Sequence, residues 1–146
     1  MDNYIKSGFW RRFIALVYDV FIIISILLGG FAILYIILLL ILGEQAVNVY
    51  YVLWHWGWAL VIKIYLLGLW FGYYALSWIK GGQTLGMKPW RLYVVDIEGK
   101  PLNIKNSAIR FFSGFLGLGL VMIPFNEKKL ALHDLLSKTV TVTKER

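Results

Sequence analysis

From Val20 to Leu42 the chain carries no charged residue (VFIIISILLGGFAILYIILLLIL). An uncharged apolar run of about 18 residues or more is long enough to cross the hydrocarbon of a bilayer. Together with the apolar residues before it, Phe13 to Leu42 would measure about 45 Å as one helix against a core of about 30 Å, so its start belongs among the headgroups. A second apolar run, about 51–79, is interrupted by Lys63 and has Trp and Tyr at both ends, where amphipathic rings favour the membrane interface. The pattern therefore predicts two spans, about 20–42 and 51–79. The connection between them, Gly43 to Tyr50, holds Glu44 and neither Lys nor Arg, which assigns it to the outside.

Beyond Ile79 the character changes. Residues 80–108 form a polar loop with Lys80, Lys88, Arg91, Lys100 and Lys105 against Asp96 and Glu98, a basic excess that predicts a cytoplasmic loop. Within it, WRLYVVDI (Trp90 to Ile97) is rich in aromatic and β-branched residues and is followed by the turn signal Glu98-Gly99-Lys100-Pro101. TVTVT (Thr139 to Thr143) alternates strictly, as a strand does. Between these lies a third apolar segment, about 109–125, short for a span, containing Gly114, Gly117 and Gly119 and ending at Pro124. A full crossing would put the basic tail, 126–146, outside, against the positive-inside bias; a re-entrant or interfacial helix keeps both strands on one side, where they can pair. The re-entrant or interfacial form is the favoured expectation. The fold class that results is an all-α membrane protein with two transmembrane helices, a short third apolar helix and a small cytoplasmic strand pair, with both termini cytoplasmic.

Composition narrows this further. At 146 residues and 60% hydrophobic, with a mean hydropathy of +0.69, the chain is one membrane domain, 1–146, in a lipid bilayer. The formal charge of +7 does not indicate nucleic acid, because the basic residues fall outside the spans, Lys63 excepted, as expected when charge sets membrane orientation. Basic residues precede the first apolar run, as in a signal peptide, but the run is too long and lacks a small-x-small cleavage site, so it reads as a retained anchor. With no cysteine, and with His55 and His133 far apart outside any ligand cluster, neither a metal site nor a cofactor is expected.

The informative charges are few. Asp19 stands at the entry to the first span, where a carboxylate is costly enough to need a reason. Arg12, Ala15 and Asp19 share a helix face, yet Arg12 and Asp19 are about 10 Å apart along the axis, too far for a simple salt bridge. No basic residue on the same helix lies one turn from Asp19. Its expected partner is therefore a distant cation: Lys63, Arg110, or one near His133 in the tail. Gly68 and Gly72, with Ala75 near the same face, form a GxxxG pattern that lets helices approach closely, within the chain or between copies.

Three stretches carry a resemblance: GFWRRFIALVYD at 8–19, GGQTLGMKPWRLYVVD at 81–96 and LALHDLLSKTVTV at 130–142. The chain resembles the RDD family of small membrane proteins, named for one arginine and two aspartates. The spacing R-x-x-A-x-x-x-D identifies Arg12 and Asp19 as the first two signature residues, and the HD pair identifies Asp134 as the third. The resemblance implies transport, with monovalent cation/proton antiport proposed for some members, or an adaptor role, as for others.

Two functional classes follow. In a transporter component, Asp19 would alternate between a proton and a small cation, with Arg12 and Asp134 setting its charge environment. In an adaptor or regulatory subunit for another membrane protein, the charges hold the fold, and the working surfaces are the Gly68/Gly72 face and the basic loop. An enzyme is not expected: no Ser/His/Asp order, zinc motif or phosphate loop is present.

Overall fold

The computed structural model describes residues 4–43, 56–114 and 131–144. The element order is β1 (Tyr4–Lys6), α1 (Phe9–Leu42), α2 (Trp56–Gly81), a 3-10 turn (Lys88–Trp90), β2 (Leu92–Asp96), α3 (Ile104–Gly114), α4 (Leu132–Leu136) and β3 (Thr139–Lys144). The first span is part of one continuous helix of 34 residues, about 51 Å long. It begins at Phe9, so its first turns carry Arg11, Arg12 and Asp19. α2 has 26 residues, about 39 Å. Both helices are long and apolar enough to cross a bilayer.

The chain, read from its sequence as one domain, clusters into two compact units, Ile23–Gly72 and Met1–Ile22 with Tyr73–Arg146. In the first unit, buried Ile62 of α2 is surrounded by Phe31, Leu34, Tyr35, Leu38 and Leu39 of α1, together with Leu66. The α1 residues follow the three- and four-residue spacing of one helix face. The faces turned away from this contact carry exposed Leu28, Ile33, Leu40, Leu60 and Ile64. The tight approach between the helices is at Gly30, where a Cβ would collide with the end of the Leu69 side chain, and where the Tyr65 hydroxyl donates to the Gly30 carbonyl at 3.3 Å. Gly68 and Gly72 do not serve this contact, since a Cβ on either would meet nothing within 4 Å.

In the second unit the expected pairing of WRLYVVDI with TVTVT is present, and it is antiparallel, with Val94 opposite Thr141 and Val95 opposite Val140. A third strand, β1, was not legible in the sequence; it pairs with the other edge of β3, giving the order β1-β3-β2. The free edge of β2 is partly covered by the loop after α2, since Val94 N–H donates to the Gly82 carbonyl at 2.6 Å. The turn after β2 is closed by Asp96, whose carboxylate accepts from the N–H groups of Glu98 and Lys100, each at 2.8 Å, with Gly99 at φ +81°.

The polar loop is shorter than 80–108, because α3 begins at Ile104. Asn103 starts it, its side-chain oxygen accepting from Asn106 N–H at 2.8 Å as an N-cap does. The third apolar segment, 109–125, is described only to Gly114, inside α3; its remainder lies outside the described residues, as does the connection between the spans. The described flanks of that gap meet, for a Cβ on Gly114 would lie 3.7–3.8 Å from the His133 ring.

Candidate functional site

Asp134 is the third residue of α4, and its carboxylate lies at the centre of the second unit with no side-chain exposure. The Arg12 guanidinium donates to one carboxylate oxygen at 2.6 Å and the Arg110 guanidinium to the other, also at 2.6 Å. The Ala131 N–H, at the start of α4, donates to it at 3.2 Å and the Thr141 hydroxyl at 3.3 Å. One carboxylate thus ties the first turn of α1 to α3, α4 and β3.

Two guanidiniums on one carboxylate leave an excess positive charge, which neutral acceptors disperse. Arg12 also donates to the Ser7 hydroxyl at 2.7 Å and to the Thr141 carbonyl at 3.0 Å. Arg110 donates to the hydroxyls of Thr139 at 2.6 Å and Thr141 at 2.9 Å, and its guanidinium stacks over the Trp78 ring 5.3 Å from the centroid. This explains why Thr139 and Thr141 of TVTVT face inward, both buried with their hydroxyls on the cluster. Here the core is charged, and a strand face of hydroxyls suits it.

Burial alone would raise the Asp134 carboxyl, but Arg110 and Arg12 outweigh it and hold that group far below the ordinary carboxylate range. Burial, reinforced by Arg110, pushes His133 down to about 3. The imidazole is therefore neutral, and its approach to Asp134 at 3.7 Å is not an ion pair.

Asp19 belongs to a separate cluster. The Tyr73 hydroxyl of α2 donates to one oxygen at 2.7 Å, the Gly86 N–H donates to the same oxygen at 2.9 Å, and the Thr84 hydroxyl donates to the other at 2.5 Å. Gly86 is required by this geometry: a Cβ there would lie 2.5 Å from the Ala15 carbonyl oxygen and 2.7 Å from the carboxylate. Thr84 also accepts from Met87 N–H at 3.3 Å, and Tyr73 accepts from Leu85 N–H at 3.2 Å, so the loop after α2 is folded around this one side chain.

The expected distant cation for Asp19 is thus replaced by three neutral donors. Arg110 is engaged by Asp134, His133 is neutral beside it, and Lys63 is an exposed residue of α2, with exposed Leu60 and Leu67 one turn away on either side. A buried carboxylate needs compensation, which from sequence alone points to a cation; hydroxyls and a backbone N–H compensate it as well. The signal for them was GGQTLGM, a glycine-rich loop with one threonine. For Ser7, Thr139 and Trp78 there was no comparable signal. Among the described residues, no three His, Asp or Glu side chains group closely enough to hold a metal.

A family profile described as the RDD family matches residues 6–138. The chain belongs to the RDD family. That span holds Arg12, Asp19, Arg110 and Asp134, and with the two long apolar helices it establishes an RDD-family membrane protein. No curated protein and no solved structure matches the chain.

Proposed function

We propose that this RDD-family chain is a multi-pass plasma-membrane protein with both termini cytoplasmic, acting as an adaptor or regulatory subunit for another membrane protein rather than as an enzyme. The observation that carries this reading is the use of Asp19, whose two oxygens are held by Tyr73, Thr84 and Gly86. A carboxylate that exchanges a proton for a cation sheds ligands in each cycle; shedding these would release the loop from α1. Arg12, Arg110 and Asp134 are likewise committed to joining strands and helices. The surfaces left for work are outward: the apolar flanks of α1 and α2, the open Gly68/Gly72 face and the exposed basic residues Lys80, Lys88 and Arg91.

The second reading is a transporter component, a monovalent cation/proton antiporter using Asp19. It is favoured by a buried carboxylate that forms no ion pair among the described residues and sits on a helix of membrane-crossing length. Ion flux in proteoliposomes holding only the purified chain, beside its stoichiometry in detergent, separates the two. The adaptor reading expects no proton-coupled flux; flux by the chain alone, lost in Asp19→Asn without loss of fold, would establish the transporter. Orientation is tested by single cysteines at Gln45, Glu98 and Lys138, of which only Gln45→Cys is expected to react with an impermeant thiol reagent on intact cells.

A further inference from the structure

α3 and α4 are built the wrong way round for water. α3 buries Ser107 and Arg110 beside Phe111 and exposes Ile109 and Phe112, the latter at 63%. α4 buries Asp134 and exposes Leu132, Leu135 and Leu136. Five large apolar side chains on two adjoining helices would face water if nothing covered them.

Their depth says what covers them. α4 is bonded through Asp134 to Arg12, in the first turn of α1, beside Trp10, which is 70% exposed; an exposed Trp at the end of a spanning helix marks the headgroup level. α3 lies deeper: Phe111 packs on Tyr74 with centroids 6.0 Å apart and Arg110 on Trp78. Those α2 residues stand about 10 Å and 5 Å inside the helix end at Gly81. That is the depth at which interfacial helices bury their apolar faces, about 5–10 Å into the headgroup and acyl boundary. In the same unit the lipid-side residues Phe13 and Val17 of α1 and Leu76 of α2 are exposed at neighbouring levels. Lys105, exposed on the face of α3 that carries Ile109 and Phe112, has a stem long enough to return its charge to the headgroups.

We infer that α3 and α4 form a ledge lying in the membrane plane, in the leaflet that holds the start of α1, with Phe112, Leu135 and Leu136 against lipid acyl chains. The membrane-bound surface of this protein then includes its tail as well as its two long helices, and the charged cluster is sealed from below by lipid.

The cysteine-free chain makes the test direct. The full chain, carrying the environment-sensitive fluorophore NBD on a single cysteine at Phe112, Leu135, Leu136 or Glu98, is reconstituted in phosphatidylcholine/phosphatidylglycerol vesicles. Shallow doxyl-labelled phosphatidylcholine is expected to quench the first three and leave Glu98→Cys bright, with aqueous iodide doing the reverse. Iodide quenching of the three helix sites to the Glu98 level would overturn the inference, and so would protection from both quenchers, which would mean protein covers them. The unmodified chain gives a second reading: a photoreactive phosphatidylcholine with its diazirine in the acyl chain is expected to crosslink to peptides from α3 and α4, and its absence from both would equally overturn it.

Discussion

Arg12 and Asp134, 122 residues apart in sequence, meet at 2.6 Å in a site where their side chains are 4% and 0% exposed. A pair so far apart in the chain and so fully desolvated acts as a closure: it fixes the tail helix and the strand after it onto the start of the first long helix. Because Arg110 shares the same carboxylate, the three residues form one coupled unit whose members do not contribute independently.

Removing the carboxylate should therefore cost more than removing either arginine. Asp134→Asn leaves two buried guanidiniums facing each other and is expected to destabilise the protein by about 3–5 kcal/mol, the usual cost of breaking a buried pair from one side. Arg12→Gln and Arg110→Gln each leave a one-to-one pair and should cost less. Denaturant unfolding of the purified chain in detergent gives the ranking, and an arginine variant less stable than Asp134→Asn would refute it.

The glycines separate into two groups. Gly86→Ala forces a Cβ to within 2.5 Å of a backbone oxygen of α1 and 2.7 Å of the Asp19 carboxylate, and should lower the melting temperature clearly. Gly82→Ala is strained by φ +63°. Gly68→Ala and Gly72→Ala meet nothing within 4 Å and should leave monomer stability unchanged or slightly higher. If their face is a contact with another membrane protein, they change co-purification and not melting.

Acid should destabilise the unit built on Asp134 by two routes with one sign. His133, pushed from 6.5 down to about 3 in the folded protein, binds its proton more readily when unfolded, so stability falls as pH drops below about 6.5, by up to about 2 kcal/mol at pH 5. Asp134, held far below its ordinary range, contributes stability that is present above the unfolded carboxylate value and is lost at still lower pH. Melting temperature between pH 7 and pH 5 should fall for the native chain and fall less for His133→Gln. An unchanged slope in the variant would remove His133 from the account.

The sheet register gives a geometric check. Val95 and Val140 are direct partners, and directly opposed residues lie about 4.5–5.5 Å apart at Cα, within disulfide range. Val95→Cys with Val140→Cys should crosslink under mild oxidation, and Val95→Cys with Val142→Cys should do so poorly. A reversed preference would mean that the strands pair in another register.

What the sequence revealed and what it hid divide along physical lines. The long helices and the β2/β3 pairing were legible because apolar length and strict alternation are properties of contiguous residues. β1 was not, because three residues carry no periodicity and its pairing depends on a strand at the far end of the chain. Arg12, Asp19 and Asp134 stood out as costly charges near apolar helices, yet their partners did not. Arg12 shares a helix face with Asp19 but reaches Asp134. Asp19 was to find Lys63, Arg110 or a cation near His133, and instead binds Tyr73, Thr84 and Gly86. Pairing of charge with charge can be guessed from sequence; a carboxylate closed by two hydroxyls and a backbone N–H depends on where a loop folds back.

In the adaptor reading proposed above, Asp19 anchors the loop after α2 and does not exchange ions. Thermal stability and cation-driven proton flux measured together for the native chain and Asp19→Asn test it most directly. The amide keeps the shape but presents an N–H₂ group to donors that need an acceptor, so the variant is expected to lose about 2–4 kcal/mol of stability while neither protein carries flux. Unchanged stability with flux present in the native chain and abolished in Asp19→Asn would contradict the account.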